Sequence, residues 1–284
     1  MNSYESTLGI KKSRLTSLAL MLRKVNKIGV TLIIMKHTER FSDRVENYVK
    51  YRPHYPQAII PCLEREAGLT RESVVADIGA GTGISSLLFL EYGNKVLAVE
   101  PNTPMREKAE QLRQRFPNFS TFAGTAERTM LPDACADLIV AGQAFHWFSQ
   151  GAAGAEFRRI GRKDAHVALM WNERRTDTDF EREYELLIAQ YATDYKETGH
   201  RNIGPAQLAL FFSPSTYKEH TFHNAQMFDF SGLKGRLLSS SYAPQEGHPS
   251  HQPMIHRLEE IFERYKQHGM IKFHYNTRLY IGKL

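Results

Sequence analysis

Cysteine and long apolar runs are scarce in this chain. Two of its 284 residues are cysteine, Cys62 and Cys135, which suits a reducing cytoplasm and gives neither a disulfide framework nor the spacing of a zinc site. The apolar run at residues 28–35 is far shorter than the roughly 20 residues of a transmembrane helix. No small-residue cleavage site follows it, so a secretory signal is not indicated. We expect a cytoplasmic protein with no metal site and no membrane partner.

Excess positive charge is also scarce outside a short N-terminal stretch. The formal net charge is +6, but residues 1–34 hold six basic side chains against one acid, Glu5. The rest of the chain is nearly neutral, which argues against the broad phosphate-binding surface of a nucleic-acid-binding protein. We interpret residues 1–34 as an extension that is disordered or spurious. The alternative is a basic amphipathic helix near Leu15–Leu22 that lies on a membrane surface.

The most informative segment begins at residue 74. An apolar, β-branched stretch, Val74–Ile78, contains Asp77 and leads into three glycines at alternate positions in Gly79–Gly83. An apolar helix start, Ile84–Leu90, follows. A strand, a glycine loop and a helix in this order open a doubly wound α/β nucleotide-binding domain. Glycine permits positive φ and lets a ligand approach the main chain closely.

Two acids near this loop discriminate between ligands. Asp77 stands two residues before the first glycine, where it would repel a pyrophosphate but pair with an ammonium group. The next predicted strand, Lys95–Glu100, ends in an acid that is placed to accept hydrogen bonds from ribose hydroxyls. A ligand with a ribose and an ammonium group but no phosphate is S-adenosylmethionine. The loop spacing and Glu100 therefore favour this cofactor over a dinucleotide.

These motifs resemble the class I S-adenosylmethionine-dependent methyltransferases over residues 37–284. Four later segments match the family in order: Glu100–Asn102, Gly124–Glu127, Asp137–Ala141 and Gln143–Phe148. The last of these, with Phe41–Tyr48 and Tyr51–Pro56, resembles the form of the trans-aconitate methyltransferase-like subgroup. The resemblance implies a methyltransferase domain at residues 35–284, with a core at about 70–175 and a C-terminal cap with edge strands at 176–284.

Alternating strand and helix patterns predict an α/β fold. Strands are predicted at 73–78, 95–100, 119–123, 136–141, 165–172, 217–230 and 271–281. The last two form an antiparallel pair, and helices at about 233–241 and 251–268 lie between them. Gly161–Ala165 is interpreted as the turn before the fifth strand, and a charged helix is predicted at 178–197. With the resemblance, this implies a doubly wound, mostly parallel seven-stranded Rossmann-like sheet with an antiparallel edge strand and a helical cap.

The resemblance also implies which residues bind the cofactor. They follow the carboxyl ends of strands, where open α/β sheets bind ligands, or they lie in the N-terminal cap. Met105 is placed near the adenine, residues 125–127 flank it, and Arg52 lies close to the cofactor carboxylate. The predicted set is Tyr51, Arg52, Asp77, Gly79, Gly81, Glu100, Pro101, Met105, Thr125, Ala126, Glu127, Gln143 and Ala144.

Two further residues are candidates for catalysis on the methyl acceptor. His146 follows the fourth strand and can take a proton from a hydroxyl or amine; the alternative is a histidine that only bonds the backbone. Arg236 lies in the C-terminal piece that faces the acceptor in the resemblance. It can pair bidentately with a carboxylate; the alternative is an arginine on a helix surface. A carboxylate acceptor is itself the nucleophile and needs no general base.

We therefore predict S-adenosylmethionine-dependent methyl transfer to a small-molecule acceptor, a carboxylate or a hydroxyl. Two alternatives are a cofactor-binding protein without catalysis and an NAD-dependent oxidoreductase, which Asp77 and the glycine spacing disfavour. A nucleic-acid methyltransferase is disfavoured because Gly142–Phe145 does not have an Asn-Pro-Pro-aromatic motif. The motifs leave the identity of the acceptor and the oligomeric state open.

Overall fold

A computed structural model describes residues 45–193 and 203–284. The predicted N-terminal extension, residues 1–34, lies outside these ranges. The strands are β1 (Val74–Ile78), β2 (Lys95–Val99), β3 (Phe119–Phe122), β4 (Ala136–Gly142), β5 (Gly161–Arg174), β6 (Tyr217–Phe228) and β7 (Ile271–Gly282). The helices are α1 (Val45–Tyr51), α2 (Ile59–Ala67), α3 (Ile84–Tyr92), α4 (Thr103–Glu110), α5 (Gln150–Ile160), α6 (Asp179–Tyr191), α7 (Pro205–Phe212), α8 (Phe230–Leu238) and α9 (His251–Tyr265).

The strands form one sheet in the order β3-β2-β1-β4-β5-β7-β6. Among the first five strands along the chain, all neighbouring pairs are parallel, whereas β7 is antiparallel to both β5 and β6. This confirms the mostly parallel seven-stranded sheet and the antiparallel pair at its edge. The strand order reverses between β1 and β4, and the crevice at such a switch point is where open α/β sheets bind ligands.

The central elements follow from apolar runs bounded by glycine. The first strand is buried along Val75–Ile78 because helices cover both faces of the sheet. The helix α3 is apolar on nearly all sides and is buried against it. Gly83 and Gly93 bound this helix in left-handed conformations, with φ of 87° and 115°. Glycine favours this region of φ and commonly ends helices.

The predicted turn at Gly161–Ala165 is wrong, because these residues form the first part of β5. Gly161 pairs with Ala136, and the register then shifts so that His166 pairs with Leu138. The strand therefore has extra residues opposite β4 over this stretch. Asp164 accommodates them in a left-handed conformation, with φ of 71°.

Helix boundaries in the C-terminal part also differ from the predictions. The helix α6 ends at Tyr191 rather than near residue 197. The helix α8 begins at Phe230 rather than at Leu233, because Asp229 caps it: its Oδ1 accepts a hydrogen bond from the amide of Gly232 at 2.7 Å. The helix α7 was not predicted from the sequence. Its buried face (Leu208, Phe211, Phe212) packs into the core cluster that covers one side of the sheet.

The C-terminal cap consists of α6, α8 and α9, which pack on β7 in a cluster of their own. The cap segment, residues 45–56, reaches this cluster through Tyr51. The Tyr51 ring lies so close to Gly235 that a Cβ there would be 2.0 Å from Cε2 of the ring. The first helix therefore packs directly against α8. Across the described ranges, no helix has both the length and the apolar character that a membrane span requires.

Candidate active site

The glycine loop, Gly79–Gly83, turns sharply at the carboxyl end of β1. The amides of Gly79 and Ala80 both donate to the carbonyl of Val99, at 2.8 and 3.1 Å. Gly79 and Gly81 have φ of 69° and 58°, in the region that favours glycine. A Cβ on Gly79 would lie 2.6 Å from Cβ of Ala144. The loop and the segment after β4 are therefore in direct contact, and glycine is required for it.

Asp77 is fully buried under this loop. Its Oδ2 accepts hydrogen bonds from the hydroxyls of Ser85 and Ser86, at 2.7 and 2.6 Å. Its Oδ1 is buried and has no partner among the described residues. Burial raises the pKa of Asp77 to about 6. Buried polar atoms are nearly always hydrogen-bonded, so this oxygen is available to a ligand donor or water.

Glu100 is buried at the end of β2 and binds the glycine loop itself. Its Oε2 accepts a hydrogen bond from the amide of Gly81 at 2.9 Å, and its Oε1 accepts one from the amide of Asn102 at 2.8 Å. Burial raises its pKa to about 7. Each carboxylate oxygen keeps a further lone pair, so ribose hydroxyls can still be accepted. Glu100 therefore fixes the loop in addition to its predicted role.

The residues predicted around the adenine lie after the ends of β2 and β3, and Met105 lies in the first turn of α4. Pro101 is half-buried, and Met105 is buried beside the loop, with its Sδ 3.9 Å from where a Cβ on Gly81 would be. Thr125 is half-buried and its amide donates to the carbonyl of Arg128, at 3.0 Å; Ala126 is buried. Glu127 accepts a hydrogen bond from the amide of Ser149 at 2.8 Å. This last bond joins the predicted adenine loop to the start of α5.

A cleft of about 460 Å³, counting the part open to solvent, lies where the glycine loop, the end of β4, the cap segment and α8 meet. It brings together five predicted residues: Arg52, Gly79, Gly81, Gln143 and Arg236. The other lining residues are Tyr48, Pro53, Tyr55, Ala80, Ile84, Ser85, Gly142 and Asn172. His146 is not among them: it sits half-buried in a short 3₁₀ turn, with its ring centroid 4.6 Å from that of Trp147.

Gln143 adopts a left-handed backbone conformation at the end of β4, with φ of 57°. Its amide donates to the carbonyl of Met170 at 2.8 Å, and its Nε2 donates to the carbonyl of Asn172 at 3.0 Å. A residue other than glycine in this conformation is strained unless its surroundings hold it. These two bonds to β5 hold Gln143 there and aim the chain at Ala144 toward the glycine loop.

Two arginines, Arg52 and Arg236, line the cleft and lie close enough for their charges to interact. Arg52 donates from Nη2 to the carbonyl of Ser239 at 2.9 Å. Arg236 is 3% exposed and donates to the hydroxyls of Tyr275 (3.2 Å) and Ser240 (3.3 Å). Neither guanidinium forms an ion pair with a carboxylate of the described residues. Burial and the charge of Arg236 lower the pKa of Arg52.

Three amide side chains of the sheet hold the cap segment in place. Asn172 donates to the carbonyl of Pro53 at 3.2 Å, Asn224 to that of His54 at 2.7 Å and Gln226 to that of Tyr51 at 3.3 Å. Sequence reasoning missed Asn172, Asn224 and Gln226, because such bonds join residues more than a hundred positions apart and leave no local pattern.

The charged groups in and around the cleft match the charges of the predicted cofactor. The loop glycines leave room for a ligand against the main chain, and the free Oδ1 of Asp77 matches a cationic donor. Glu100 offers acceptors for sugar hydroxyls, and Arg52 offers a cation for the carboxylate of the amino-acid moiety. When bound there, S-adenosylmethionine would be held by the glycine loop, Asp77, Glu100 and Arg52.

Known methyltransferases are similar to this chain in sequence. Residues 76–169 match the methyltransferase domain family. An uncharacterized methyltransferase of Schizosaccharomyces pombe is 30% identical over 203 residues, which cover 70% of this chain and 77% of that protein. A second one from the same yeast is 28% identical over 155 residues and 54% of this chain. One from Mycobacterium tuberculosis is 33% identical over 150 residues and 53% of this chain. The chain spans 59% of the length of each of these last two relatives.

Solved structures show the same fold. A protein of Anaeromyxobacter dehalogenans that is assigned as a type II methyltransferase has a TM-score of 0.62 and 22% identity, with 82% of this chain and 98% of that chain covered. The YcgJ protein of Bacillus subtilis has a TM-score of 0.52 and 21% identity, with 81% and 100% covered. On the extent of the first yeast match, the domain match and this fold, the chain belongs to the class I S-adenosylmethionine-dependent methyltransferases.

Proposed function

We propose that this protein transfers a methyl group from S-adenosylmethionine to a carboxylate of a small organic acid in the cytoplasm. The observation that carries the proposal is Arg236, a buried guanidinium at the cleft with no carboxylate partner among the described residues. A buried cation is costly unless a counter-charge reaches it. An anionic acceptor would supply that charge.

The two arginines would bind different ligands, one the cofactor and the other the acceptor. Arg52 lies on the cap segment beside the glycine loop and is assigned to the carboxylate of the cofactor. Arg236 lies on α8 and is then left for the acceptor. Its Nε and Nη1 donate only to hydroxyls, those of Tyr275 and Ser240, so a carboxylate can replace or share these bonds and gain a charge-assisted pair.

A carboxylate acceptor needs no general base, because it is already deprotonated. When bound, S-adenosylmethionine supplies a methyl group on a sulfonium, which a carboxylate oxygen attacks in line while the sulfur leaves as a neutral thioether. The task of the chain is to hold two reactants in line and to exclude water. Arg236 orients the attacking oxygen, and Tyr48 and Tyr55 wall the cleft. His146, which is not part of this lining, has no proton to take in this reaction.

We infer that the chain is related to the trans-aconitate methyltransferase-like subgroup. The subgroup resemblance in the cap segment and after β4 supports this, as does the arginine of α8. A small organic acid as partner, rather than a nucleic acid or a membrane, is consistent with the near-neutral charge of residues 35–284.

Transfer of a labelled methyl group into a metabolite extract tests the function. We expect label in the anionic fraction, as a methyl ester that releases methanol in mild base. Arg236→Met should lower kcat/KM for the identified acid by roughly 100-fold, because two charge-assisted hydrogen bonds are lost. Arg257→Met, which removes a surface partner of Glu183, is the matched control and should leave kcat/KM unchanged. Label in base-stable amines or ethers would contradict a carboxylate acceptor.

A further inference from the structure

Tyr55 has a buried ring and a hydroxyl at the cleft. The side chain is 7% exposed, and the ring packs in the core cluster that includes Ile59 and Ala80. The residue also lines the cleft. Sequence reasoning gave it no role beyond its place in the Tyr51–Pro56 resemblance.

The hydroxyl lies above the carboxyl end of β4. A Cβ on Gly142 would be 2.7 Å from the Tyr55 hydroxyl and 2.9 Å from Cβ of Ser85. Only glycine at position 142 therefore lets the hydroxyl reach this point. Ser85 in turn donates its hydroxyl hydrogen bond to Asp77, so the Tyr55 hydroxyl lies close to the buried carboxylate.

The backbone around Tyr55 is fixed before any ligand arrives. Asn172 and Asn224 hold the carbonyls of the two preceding residues, Pro53 and His54. On the other side, the carbonyl of Pro56 accepts a hydrogen bond from the amide of Ile59 at 3.1 Å. A group held this way loses little entropy on binding, which is the property expected of a ligand contact.

The hydroxyl lies beside Gly142, and both residues line the cleft, so a ligand bound there can reach it. Burial and the nearby Tyr48 and Asp77 raise the pKa of Tyr55 well above its ordinary value, so the hydroxyl is neutral and keeps its lone pairs as acceptors. An acceptor beside a negative carboxylate selects a cationic donor.

We propose that the Tyr55 hydroxyl accepts a hydrogen bond from the α-ammonium group of the cofactor's amino-acid moiety, next to the charge of Asp77. This rests on the proposed function, since it takes S-adenosylmethionine as the ligand. Arg52, which also lines the cleft, then receives the carboxylate of the same moiety. The cap segment would thus contact both the ammonium group and the carboxylate of the amino-acid moiety.

This contact can be tested by removing the Tyr55 hydroxyl from the protein and the α-ammonium group from the ligand. The ligands are S-adenosylhomocysteine and its deamino analogue, in which hydrogen replaces the α-ammonium group; binding is measured by calorimetry. Tyr55→Phe should weaken S-adenosylhomocysteine roughly ten-fold or more, as expected for a hydrogen bond to a charged group. It should change the affinity for the deamino analogue by less than about two-fold.

Tyr265→Phe is the matched control, since its hydroxyl bonds Glu183 on α6 and not the cleft. The control should bind both ligands as the wild type does, and the unfolding midpoint of unliganded Tyr55→Phe should match the wild type because the ring is retained. Equal loss with both ligands, or loss for S-adenosylmethionine but not S-adenosylhomocysteine, would overturn the ammonium contact alone. A wild-type protein that binds neither cofactor nor product would overturn the proposed function with it.

Discussion

Two buried carboxyl groups at the strand ends titrate close to neutral pH. Burial raises the pKa of Asp77 to about 6 and that of Glu100 to about 7, from ordinary values of 3.8 and 4.5. Both folded-state values lie above the unfolded ones, so the folded state binds more protons between about pH 4 and 7. The stability that these two groups contribute is present below about pH 4 and is lost as the pH rises through 6 and 7. Above about pH 7 the unliganded protein therefore holds two buried carboxylates, and their burial lowers the stability of the fold.

The charge of Asp77 should control the affinity for the cofactor. An ammonium group pairs with the carboxylate form of Asp77 and not with the acid. We expect the affinity for S-adenosylhomocysteine to rise by up to about ten-fold per pH unit below the pKa of 6 and to level off above about pH 7. Calorimetry between pH 5 and 8.5 measures this profile. Asp77→Asn should bind more weakly and lose the rise near pH 6, and an unchanged profile in that variant would exclude Asp77 as its cause.

Single residues of the site differ in how far sequence alone predicts them. The positions of Asp77, the loop glycines and Glu100 at strand ends could be predicted, because a strand, a glycine loop and a second strand are local patterns; their roles in binding stay predictions. Tyr55 and Asn172 could not, because their role arises from contacts between the cap segment and distant strands. His146 shows the opposite case: its position after β4 is predicted well, but the fold leaves it out of the cleft lining.

Some strands and helices are determined by their local sequence, and others depend on contacts with distant parts of the chain. The central strands and α3 follow directly from apolar runs and glycines. The start of α8 depends on the cap at Asp229, which its sequence does indicate, since an aspartate before a helix is a capping signal. The extra residues at the start of β5 depend on the register against β4, and nothing local to Gly161–Ala165 distinguishes a turn from an irregular strand.

The hydrogen bond from Asn224 of β6 should hold the cap segment in place. Asn224 donates at 2.7 Å to the carbonyl of His54. Asn224→Asp replaces the donor with a carboxylate that repels this carbonyl and Oδ1 of Asn172. We expect faster amide hydrogen exchange in residues 45–56 and a several-fold higher KM for the cofactor, with the sheet core unchanged. Hydrogen exchange with mass spectrometry reports on both regions.

The neighbouring residue on the same strand supplies the control. His223 is exposed, so His223→Asp introduces the same acid one position away without touching the cap segment. Exchange in residues 45–56 should stay at the wild-type rate in this variant. Equal exchange in both variants would mean that the bond to His54 does not hold the cap segment.

The whole molecule brings two cations together at one cleft from opposite ends of the chain. The cap segment carries Arg52, α8 carries Arg236, and the sheet edge formed by β6 and β7 fixes both, through Gln226 and Tyr275. Tyr275 donates its hydroxyl hydrogen bond to Gln226 at 3.0 Å and accepts one from Arg236. The proposed cofactor and acceptor sites therefore share one hydrogen-bond network. We expect this network to stabilise the fold most when anions bind the two arginines.

Anion binding should consequently stabilise the whole fold, even without the cofactor. A ligand at about a hundred times its Kd adds about 2.7 kcal/mol to the free energy of unfolding, or roughly 5–10 °C in Tm for a chain of this size. We expect a small tricarboxylate to raise Tm in this way relative to sodium chloride at the same ionic strength, as measured by scanning calorimetry. Arg236→Gln and Arg52→Gln should each lose most of the increase, because the buried charge that attracts the anion is gone. Arg264→Gln, on the exposed face of α9 with Glu183 as its partner, should keep it. An increase that survives both cleft variants would place the anion elsewhere on the surface and would separate the stability of the fold from the charge of the cleft.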